Sequence, residues 1–356
     1  MKRWVRRGAS FLCLFMVALT ALDLIETDEW WIRVLDFPRP QFASVLAAAL
    51  LVLWASSFRA RFPTLVSAAS VAALIWQIWL IVPYTPLWPA QMVAATGCDR
   101  DRRVRFLLAN VRQDNRNAEP LLALARDLDP DVILLTEIDP WWEQAVSTLR
   151  DSHPETVLKP LSNTYGIGLY SRLPLRGAEI RYLLKDYVPS IRTRVALADG
   201  TDFSMWAVHP APPRPGDDTD ERDAELLLVA KEVEDTDRPA VVGGDLNDVA
   251  WSSTTTLFQE VSGLLDPRIG RALYATFNAE WPLLKWPLDH LFASREWMLG
   301  EFRRLDDIGS DHFPILVELC HQPEAAAIQD GNAPEPGDGR DAQDHIDEGR
   351  EAARED

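Results

Sequence analysis

Two apolar segments near the N-terminus limit the fold most strongly, because neither contains a charged residue over 18 positions. They occupy residues 41–58 and 65–82, and a third apolar segment, 8–24, is interrupted only by Asp23. A helix that spans a bilayer needs roughly 17–25 such residues. Tryptophans stand near the ends of the segments, as expected of interfacial anchors. The sequence therefore predicts a membrane anchor with three transmembrane helices within residues 1–90, rather than buried helices of a soluble domain.

Charged residues around these segments predict the orientation of the anchor. Basic residues precede the first segment and fill the link between the second and third, whereas the link between the first and second is mainly acidic. The basic residues are Lys2, Arg3, Arg6, Arg7, Arg59 and Arg61, and the acidic ones are Glu26, Asp28, Glu29 and Asp36. The positive-inside rule then places the rest of the chain on the extracytoplasmic side of an inner or plasma membrane. If the first segment is instead a signal peptide, the two remaining crossings give the same result.

The charge distribution separates the rest of the chain into parts. Residues 1–99 carry a net charge of +2, residues 100–321 carry −12, and residues 322–356 carry −8, which together give the total of −18. An acidic domain is a poor general binder of nucleic acid, because phosphate contacts supply most of the non-specific affinity. The last part has no aromatic residue, and its composition predicts a disordered tail. Residues 91–102 are predicted to be a linker.

Between the linker and the tail, strand-like and helix-like segments alternate. This alternation fits two stacked mixed sheets flanked by helices. The predicted helices are 119–128, 140–149 and 219–233, and the predicted strands are 104–110, 131–137, 166–171, 191–197, 203–209, 239–244, 289–293 and 313–319.

Polar side chains stand at the ends of several predicted strands. The most informative sequence is Val241 to Asn247, an apolar run that turns at two glycines and presents Asp245 and Asn247. A matching pair, Asp311 and His312, precedes the last strand. A carboxylate that activates water, an amide that orients it and a histidine paired with an acid are the parts of a phosphoester hydrolase.

Further motifs follow the same order along the chain: Asn110 and Glu137 end the first two strands, His209-Pro210 follows a later one, and Asp289 begins another. This ordered set, over about residues 103–320, resembles the endonuclease/exonuclease/phosphatase superfamily with its DNase I-like fold, and in particular an outward-facing, membrane-anchored branch of it. The resemblance implies an α+β fold, a four-layer α/β/β/α sandwich of two mixed sheets, over residues 103–321. It also implies a hydrolase that depends on Mg²⁺, with Mn²⁺ as the alternative.

The resemblance assigns a role to each motif. Glu137 would be the main metal ligand, with Asn110 and Asp311 beside the metal. Asp245 would orient and deprotonate the attacking water, and Asn247 would hold the water or the phosphate.

The remaining roles concern the histidines and the loops. His312 would contact a phosphoryl oxygen, with Asp289 fixing its tautomer and raising its pKa, and His209 would lie near the leaving oxygen. Trp251, Trp281 and Trp286 would border the site, either as an apolar wall for a lipid, as a stacking surface for a base, or only as packing under loops.

The function predicted from these features is a membrane-anchored, Mg²⁺-dependent phosphoesterase that hydrolyses phosphate ester or pyrophosphate bonds of a phosphorylated, lipid-linked substrate. One alternative is an extracellular or periplasmic nuclease. Pro287-Leu288, where nucleases often have a basic residue, and the acidic loop 217–223 disfavour a nucleic-acid substrate. The other alternative is a non-catalytic membrane protein that keeps the fold for interactions.

The cysteines leave two alternatives open. Cys13 lies in an apolar segment, Cys98 precedes the first strand of the domain, and Cys320 ends the last. Three free thiols are one possibility. The other is a disulfide between Cys98 and Cys320, which requires an oxidising compartment and antiparallel pairing of the first and last strands.

Overall fold

Three long helices form the N-terminal part of the protein. The computed structural model describes residues 2–25, 27–57, 64–212, 216 and 218–355. The helices α1 (Lys2–Leu22), α3 (Arg39–Ser57) and α4 (Thr64–Ile81) pack together, and the short helix α2 (Trp30–Arg33) lies between the first two. All three long helices are apolar enough and long enough to cross a membrane. The predicted cytoplasmic link with Arg59 and Arg61 lies outside the described residues.

The following domain contains two mixed sheets. The first has the strand order β10-β11-β1-β2-β4-β3 and the second β5-β6-β7-β8-β9. The strands of the first sheet are β1 (Arg103–Asn110), β2 (Val132–Thr136), β3 (Glu155–Lys159), β4 (Ile167–Ser171), β10 (Trp297–Arg304) and β11 (Ile315–His321). Those of the second are β5 (Leu175–Tyr182), β6 (Pro189–Ala196), β7 (Asp202–Val208), β8 (Ala240–Asp245) and β9 (Asp289–Ala293). The pairs β1–β2 and β7–β8 are parallel, and the other pairs are antiparallel.

Helices cover the outer face of each sheet. The helices on the first sheet are α5 (Glu119–Leu128), α6 (Pro140–Ala145) and α7 (Leu149–Ser152), and those on the second are α8 (Asp220–Glu234), α9 (Ser253–Ser262) and α10 (Asp338–Glu355). In β1, Phe106 and Leu108 face the core between the sheets, while Leu107 and Ala109 face the helices. A strand covered on both faces must be apolar at nearly every position, which explains its sequence. The predicted four-layer α/β/β/α architecture is confirmed.

The strands that the sequence did not predict are all at the edges of the sheets. They are β3 and β10, on either side of the first sheet, and β5 in the second. In β5 most side chains are exposed. Edge strands commonly carry charged, exposed residues that prevent pairing with other chains. They therefore lack the apolar pattern by which the central strands were recognised.

The C-terminal segment corrects one prediction, because residues 338–355 are not disordered but form α10 on the surface of α8. Ala342 and Ile346, one helical turn apart, are fully buried there. Gly349 allows the close approach, since a Cβ at this position would overlap Ala224 and the carbonyl of Asp220. The segment is polar on average, so its composition does not reveal this narrow apolar stripe.

The predicted linker is also more ordered than expected. Met92 is fully buried in the core between the sheets, and the backbone of Val93 and Ala95 bonds to Leu299 in β10 at 2.9 and 2.8 Å. Residues 91–95 thus add to the edge of the first sheet rather than connecting two independent parts.

The two cysteines of the domain form a disulfide. The strands β1 and β11 are antiparallel neighbours, with Arg103 opposite Cys320. This register brings Cys98 to Cys320 with the Cα atoms 5.8 Å apart, whereas Cys13 remains a free, buried thiol. The alternative of three free thiols is therefore wrong. The bridge connects the segment before the first strand with the end of the last.

We expect Cys98→Ser to destabilise the protein, because the bridge closes a loop of 222 residues and the chain-entropy model credits long loops with up to about 5 kcal/mol. The melting temperature of the full chain in detergent measures this. Cys13→Ser is the control, since it removes a thiol that is not in a bridge. Alkylation of all three cysteines in the unreduced, denatured protein would contradict the bridge.

Candidate active site

The carboxyl ends of the central strands meet at one edge of the sandwich. Asn110 ends β1, Glu137 follows β2, and Asp245 ends β8 of the other sheet. The Asn110 Nδ2 atom donates hydrogen bonds to Glu137 Oε1 and to Asp245 Oδ2, both at 2.9 Å. Because both oxygens bond to one nitrogen, they lie less than about 6 Å apart, close enough for the two carboxylates to act on one phosphate group.

The backbone holds Glu137 in an uncommon conformation. Its φ angle is +62°, and its second carboxylate oxygen accepts a hydrogen bond from the Gln113 backbone N–H at 3.0 Å. The Asn110 Oδ1 atom accepts the Arg112 N–H at 2.9 Å. A positive φ at a residue other than glycine persists only where its surroundings determine it, and such residues cluster at functional sites.

The turn after β8 presents Asp245 and Asn247. Gly244 has a φ angle of +150°, and a Cβ there would overlap the carbonyl of Val208 in β7; only glycine allows the two strands to approach in this way. Asn247, with a φ angle of +52°, donates its backbone N–H to Asp245 Oδ1 at 3.1 Å and its Nδ2 to the Pro210 carbonyl at 2.9 Å.

His312 is buried between two carboxylates. Its Nδ1 atom lies 2.8 Å from Asp289 Oδ2, and its Nε2 atom lies 3.6 Å from Asp245 Oδ2. Burial alone would lower the pKa of His312, but the charges of Asp245 and Asp289 outweigh this effect and raise the pKa to about 10. The imidazole is therefore a cation at neutral pH that can donate a hydrogen bond to a phosphoryl oxygen.

Two further predicted residues complete the site. The Nε2 atom of His209 lies 3.8 Å from Asp245 Oδ2, and its buried Nδ1 atom has no hydrogen-bond partner among the described residues. Asp311 lies beside His312, and burial raises the pKa of its carboxyl group, an effect that the nearby charge of Glu137 strengthens. The structure thus brings together all the residues predicted to be catalytic or to hold the metal: Asn110, Glu137, His209, Asp245, Asn247, Asp289, Asp311 and His312.

The three tryptophans differ in position. Trp251 is only 4% exposed and donates its indole N–H to the Asp36 carbonyl at 2.7 Å. Its predicted contact with substrate is therefore wrong, because it packs instead against the segment between the anchor helices. Trp281 is exposed, and Trp286 stacks on Phe277, which in turn contacts the His312 ring at a centroid distance of 4.9 Å.

The donor atoms fit a hard divalent cation. Glu137 and Asp311 supply carboxylate oxygens, which Mg²⁺ prefers. Asp245, Asp289 and His312 also lie close enough together to hold an ion. However, Asp289 and the Nδ1 atom of His312 already satisfy each other within a buried pair, whereas Glu137 and Asp311 are the residues whose carboxylates would hold such a cation.

Sequence comparison identifies the family. Residues 107–312 match the model of the "Endonuclease/Exonuclease/phosphatase family", and since this is more than half of the chain, the protein belongs to that family. It is a metal-dependent hydrolase of the phosphoesterase and nuclease type. No curated protein matches the sequence significantly.

Solved structures share the fold at low sequence identity. A humanized TDP2 of D. rerio has a TM-score of 0.51 and 16% identity, over 61% of this chain and 99% of that one. An endonuclease/exonuclease/phosphatase from Bacteroides vulgatus has a TM-score of 0.51 and 16% identity, over 62% and 99%. The catalytic domain of human Nocturnin has a TM-score of 0.50 and 16% identity, over 64% and 97%.

We expect Asp245→Asn to lower the rate by about 10²–10⁴, since it keeps the shape of the side chain but removes a general base. Hydrolysis of bis(p-nitrophenyl) phosphate in Mg²⁺ by the purified full chain measures this. Asp237→Asn is the matched control, because Asp237 is an exposed acid before the opposite end of the same strand. Near wild-type turnover by Asp245→Asn would remove this residue from its role.

Proposed function

We propose that the protein is a membrane-anchored, Mg²⁺-dependent phosphoesterase that acts on a lipid-linked phosphate ester or pyrophosphate from the extracytoplasmic side of the membrane. The observation that carries this proposal is that the segment 278–286 borders the active site at one end and contacts the start of a predicted membrane helix at the other.

The contacts of this segment support the proposal, because they link the site to the start of a candidate membrane helix. On the side of the site, the Ala279 N–H donates to the Asp311 carbonyl at 2.7 Å. On the other side, Gln41, near the start of α3, donates its Nε2 to the Leu283 carbonyl at 2.9 Å. Trp281 and Leu283, at the tip, are 58% and 81% exposed. Exposed tryptophan and leucine side chains near the start of a candidate membrane helix suit contact with lipid.

Aromatic rings form a second connection between the anchor and the catalytic histidine. Phe37, just before α3, packs edge-on against Trp286 at 5.8 Å, Trp286 stacks on Phe277 at 5.9 Å, and Phe277 contacts His312. A lipid tail that follows these rings stays in apolar surroundings while its phosphate reaches His312. A soluble substrate has no use for such a path.

Each residue of the site has a separate role in the proposed hydrolysis. Asp245 accepts a proton from the attacking water, which Asn247 orients. Cationic His312 donates to a phosphoryl oxygen, and His209, beside Asp245, would act near the leaving oxygen. Asn110 holds the two carboxylates in place through its Nδ2 atom, and its oxygen, which accepts the Arg112 N–H, keeps a second lone pair with which it would contact the metal as predicted.

The positive charge that neutralises the phosphoryl oxygens would come from Mg²⁺, or Mn²⁺ as the alternative, held by Glu137 and Asp311. Mutation of Glu137 to Gln should raise the Mg²⁺ concentration needed for half-maximal rate.

Two observations favour extracytoplasmic placement of the domain. Basic residues occupy the first two turns of α1, and the segment between α1 and α3 is mainly acidic. The Cys98–Cys320 disulfide also suits an oxidising compartment.

The alternatives have less support. A nuclease would need a basic surface at the site, but the domain carries a net charge of −12 over residues 100–321. The non-catalytic alternative does not account for the retention of the whole hydrolytic set.

We expect Leu283→Ser to slow the hydrolysis of a polyprenyl pyrophosphate in proteoliposomes, while the hydrolysis of water-soluble bis(p-nitrophenyl) phosphate is unchanged. The substrate preference is measured, with Mg²⁺ or EDTA, as release of phosphate from polyprenyl pyrophosphate and inositol phosphate, of phosphocholine from sphingomyelin, and of nucleotides or shorter strands from DNA. Leu87→Ser is the matched control, because Leu87 is 86% exposed but lies outside the segment. Faster cleavage of DNA than of either lipid would overturn the proposal.

We expect a periplasmic-type phosphatase reporter fused after Asp356 to be active and a cytoplasmic fluorescent reporter at the same point to be inactive, because three crossings leave the C-terminus outside. The reverse pattern would overturn the placement of the domain.

A further inference from the structure

The turn that carries Asn247 is held from behind by a buried arginine. Arg222, in the first turn of α8, is only 2% exposed. Its Nη1 atom donates to the Asn247 carbonyl at 3.1 Å and lies 3.6 Å from Asp248 Oδ1. Its Nε and Nη2 atoms donate to Asp223 Oδ1 at 2.8 and 2.6 Å. One guanidinium group therefore joins the catalytic turn to the start of a helix.

Asp248 fixes the far end of the same turn. Its carboxylate accepts hydrogen bonds from Ser252 Oγ at 2.5 Å and Thr255 Oγ1 at 3.3 Å. Its carbonyl lies 2.9 Å from His290 Nε2. Because the left-handed conformation of Asn247 is disfavoured in an unrestrained chain, these contacts help to maintain it, together with the hydrogen bonds that Asn247 makes to Asp245 and the Pro210 carbonyl.

The charges continue from Arg222 into the membrane anchor. Asp223, fully buried, also lies 3.5 Å from Nη2 of Arg33, which stands at the end of α2. Arg33 pairs with Asp36 at 3.3 Å. Arg39, at the start of α3, bonds to Asp36 and to Asp23. Opposite charges thus alternate without interruption from the ends of α1 and α3 to the Asn247 carbonyl.

Arg33 is the member that joins the two parts of the protein. It also donates to Thr254 at 2.7 Å and to Ser253, at the start of α9. Without Arg33, buried Asp223 would have Arg222 as its only cationic partner among the described residues, and the loss of one partner from a buried ion pair is strongly unfavourable. Arg222 would then be drawn towards Asp223 and away from the Asn247 carbonyl.

We propose that Arg222 is a positioning residue that holds Asn247 in its active conformation, and that Arg33 of the anchor maintains Arg222 through Asp223. Full activity then requires the segment between α1 and α3 to be docked on the catalytic domain. The proposal rests on the role of Asn247 and not on the identity of the lipid substrate.

The test uses the purified full chain in detergent with the better of two water-soluble substrates, p-nitrophenyl phosphate or bis(p-nitrophenyl) phosphate, so that the result is independent of any lipid. Arg222→Met should lower kcat by about 10²-fold, as expected of a displacement near 1 Å in a catalytic group. Arg33→Met should lower it by about 2- to 30-fold, the usual range for coupling between separated groups. In both variants KM and the Mg²⁺ requirement should be unchanged, because Glu137 is held by the other sheet.

The matched control is Arg181→Met. Arg181 forms an ion pair with Glu232 near the other end of α8, so its loss tests whether weakening the contacts of this helix is enough to lower kcat. We expect no change in kcat. An equal loss of kcat in this variant would overturn the proposal, since the effect would then be one of stability alone.

A double-mutant cycle distinguishes positioning from a merely structural role. If Arg33 acts through Asn247, Arg33→Met should cost little further kcat in an Asn247→Ala background. Additive effects, or an unchanged kcat in folded Arg222→Met protein, would contradict the proposal. If Arg222→Met does not fold, kcat of Arg222→Lys and the double-mutant cycle with Arg33→Met test the proposal instead. Lysine keeps the charge of Arg222 but cannot make the same set of hydrogen bonds, so kcat should still fall.

Discussion

The hydrogen bonds from the Asn110 side chain join the two halves of the site. A single amide nitrogen bridges Glu137 of one sheet and Asp245 of the other. Two carboxylates so close together repel each other in a buried site, and the amide donor and the His312 cation offset that repulsion. The arrangement depends on the distance between the two sheets. The side chains packed between the sheets set this distance, and they include Phe106 and Leu108 of the strand that ends in Asn110.

The sequence predicted the parts of the protein in which a local pattern has a single structural meaning. Central strands are apolar on both faces, so the polar residues at their ends, such as Glu137 and Asp245, stand out as site residues. Contacts that depend on distant packing were not predictable. The Gln113 N–H that bonds Glu137 is a backbone group without a sequence signal, and nothing near Trp251 indicates that Asp36 is its partner.

The junction between the anchor and the catalytic domain adjoins the catalytic turn on two sides. The α1–α3 segment reaches it through Arg33 and Asp223. From the other side Tyr84, after α4, packs against Trp251 at 5.8 Å and donates its hydroxyl to the Ala250 carbonyl. Residues 249–251 directly follow the turn of Asn247, so the contacts that hold the anchor also limit the movement of that turn.

Buried charge at this junction favours a defined orientation more than a strong attachment. Removing two charges from water costs much of the free energy that their mutual attraction returns. A wrong arrangement, by contrast, leaves a buried charge without its partner and is strongly disfavoured. Asp23 and Arg39 lie at helix ends, where charges can leave the hydrocarbon region of a bilayer. Their pairing holds the ends of α1 and α3 together, and the Arg33–Asp223 pair then fixes the angle between these candidate membrane helices and the active site. Under the proposed function, a fixed angle would suit a substrate that a bilayer holds in one orientation, since the scissile phosphate would then meet Asp245 and His312 without a search over rotations.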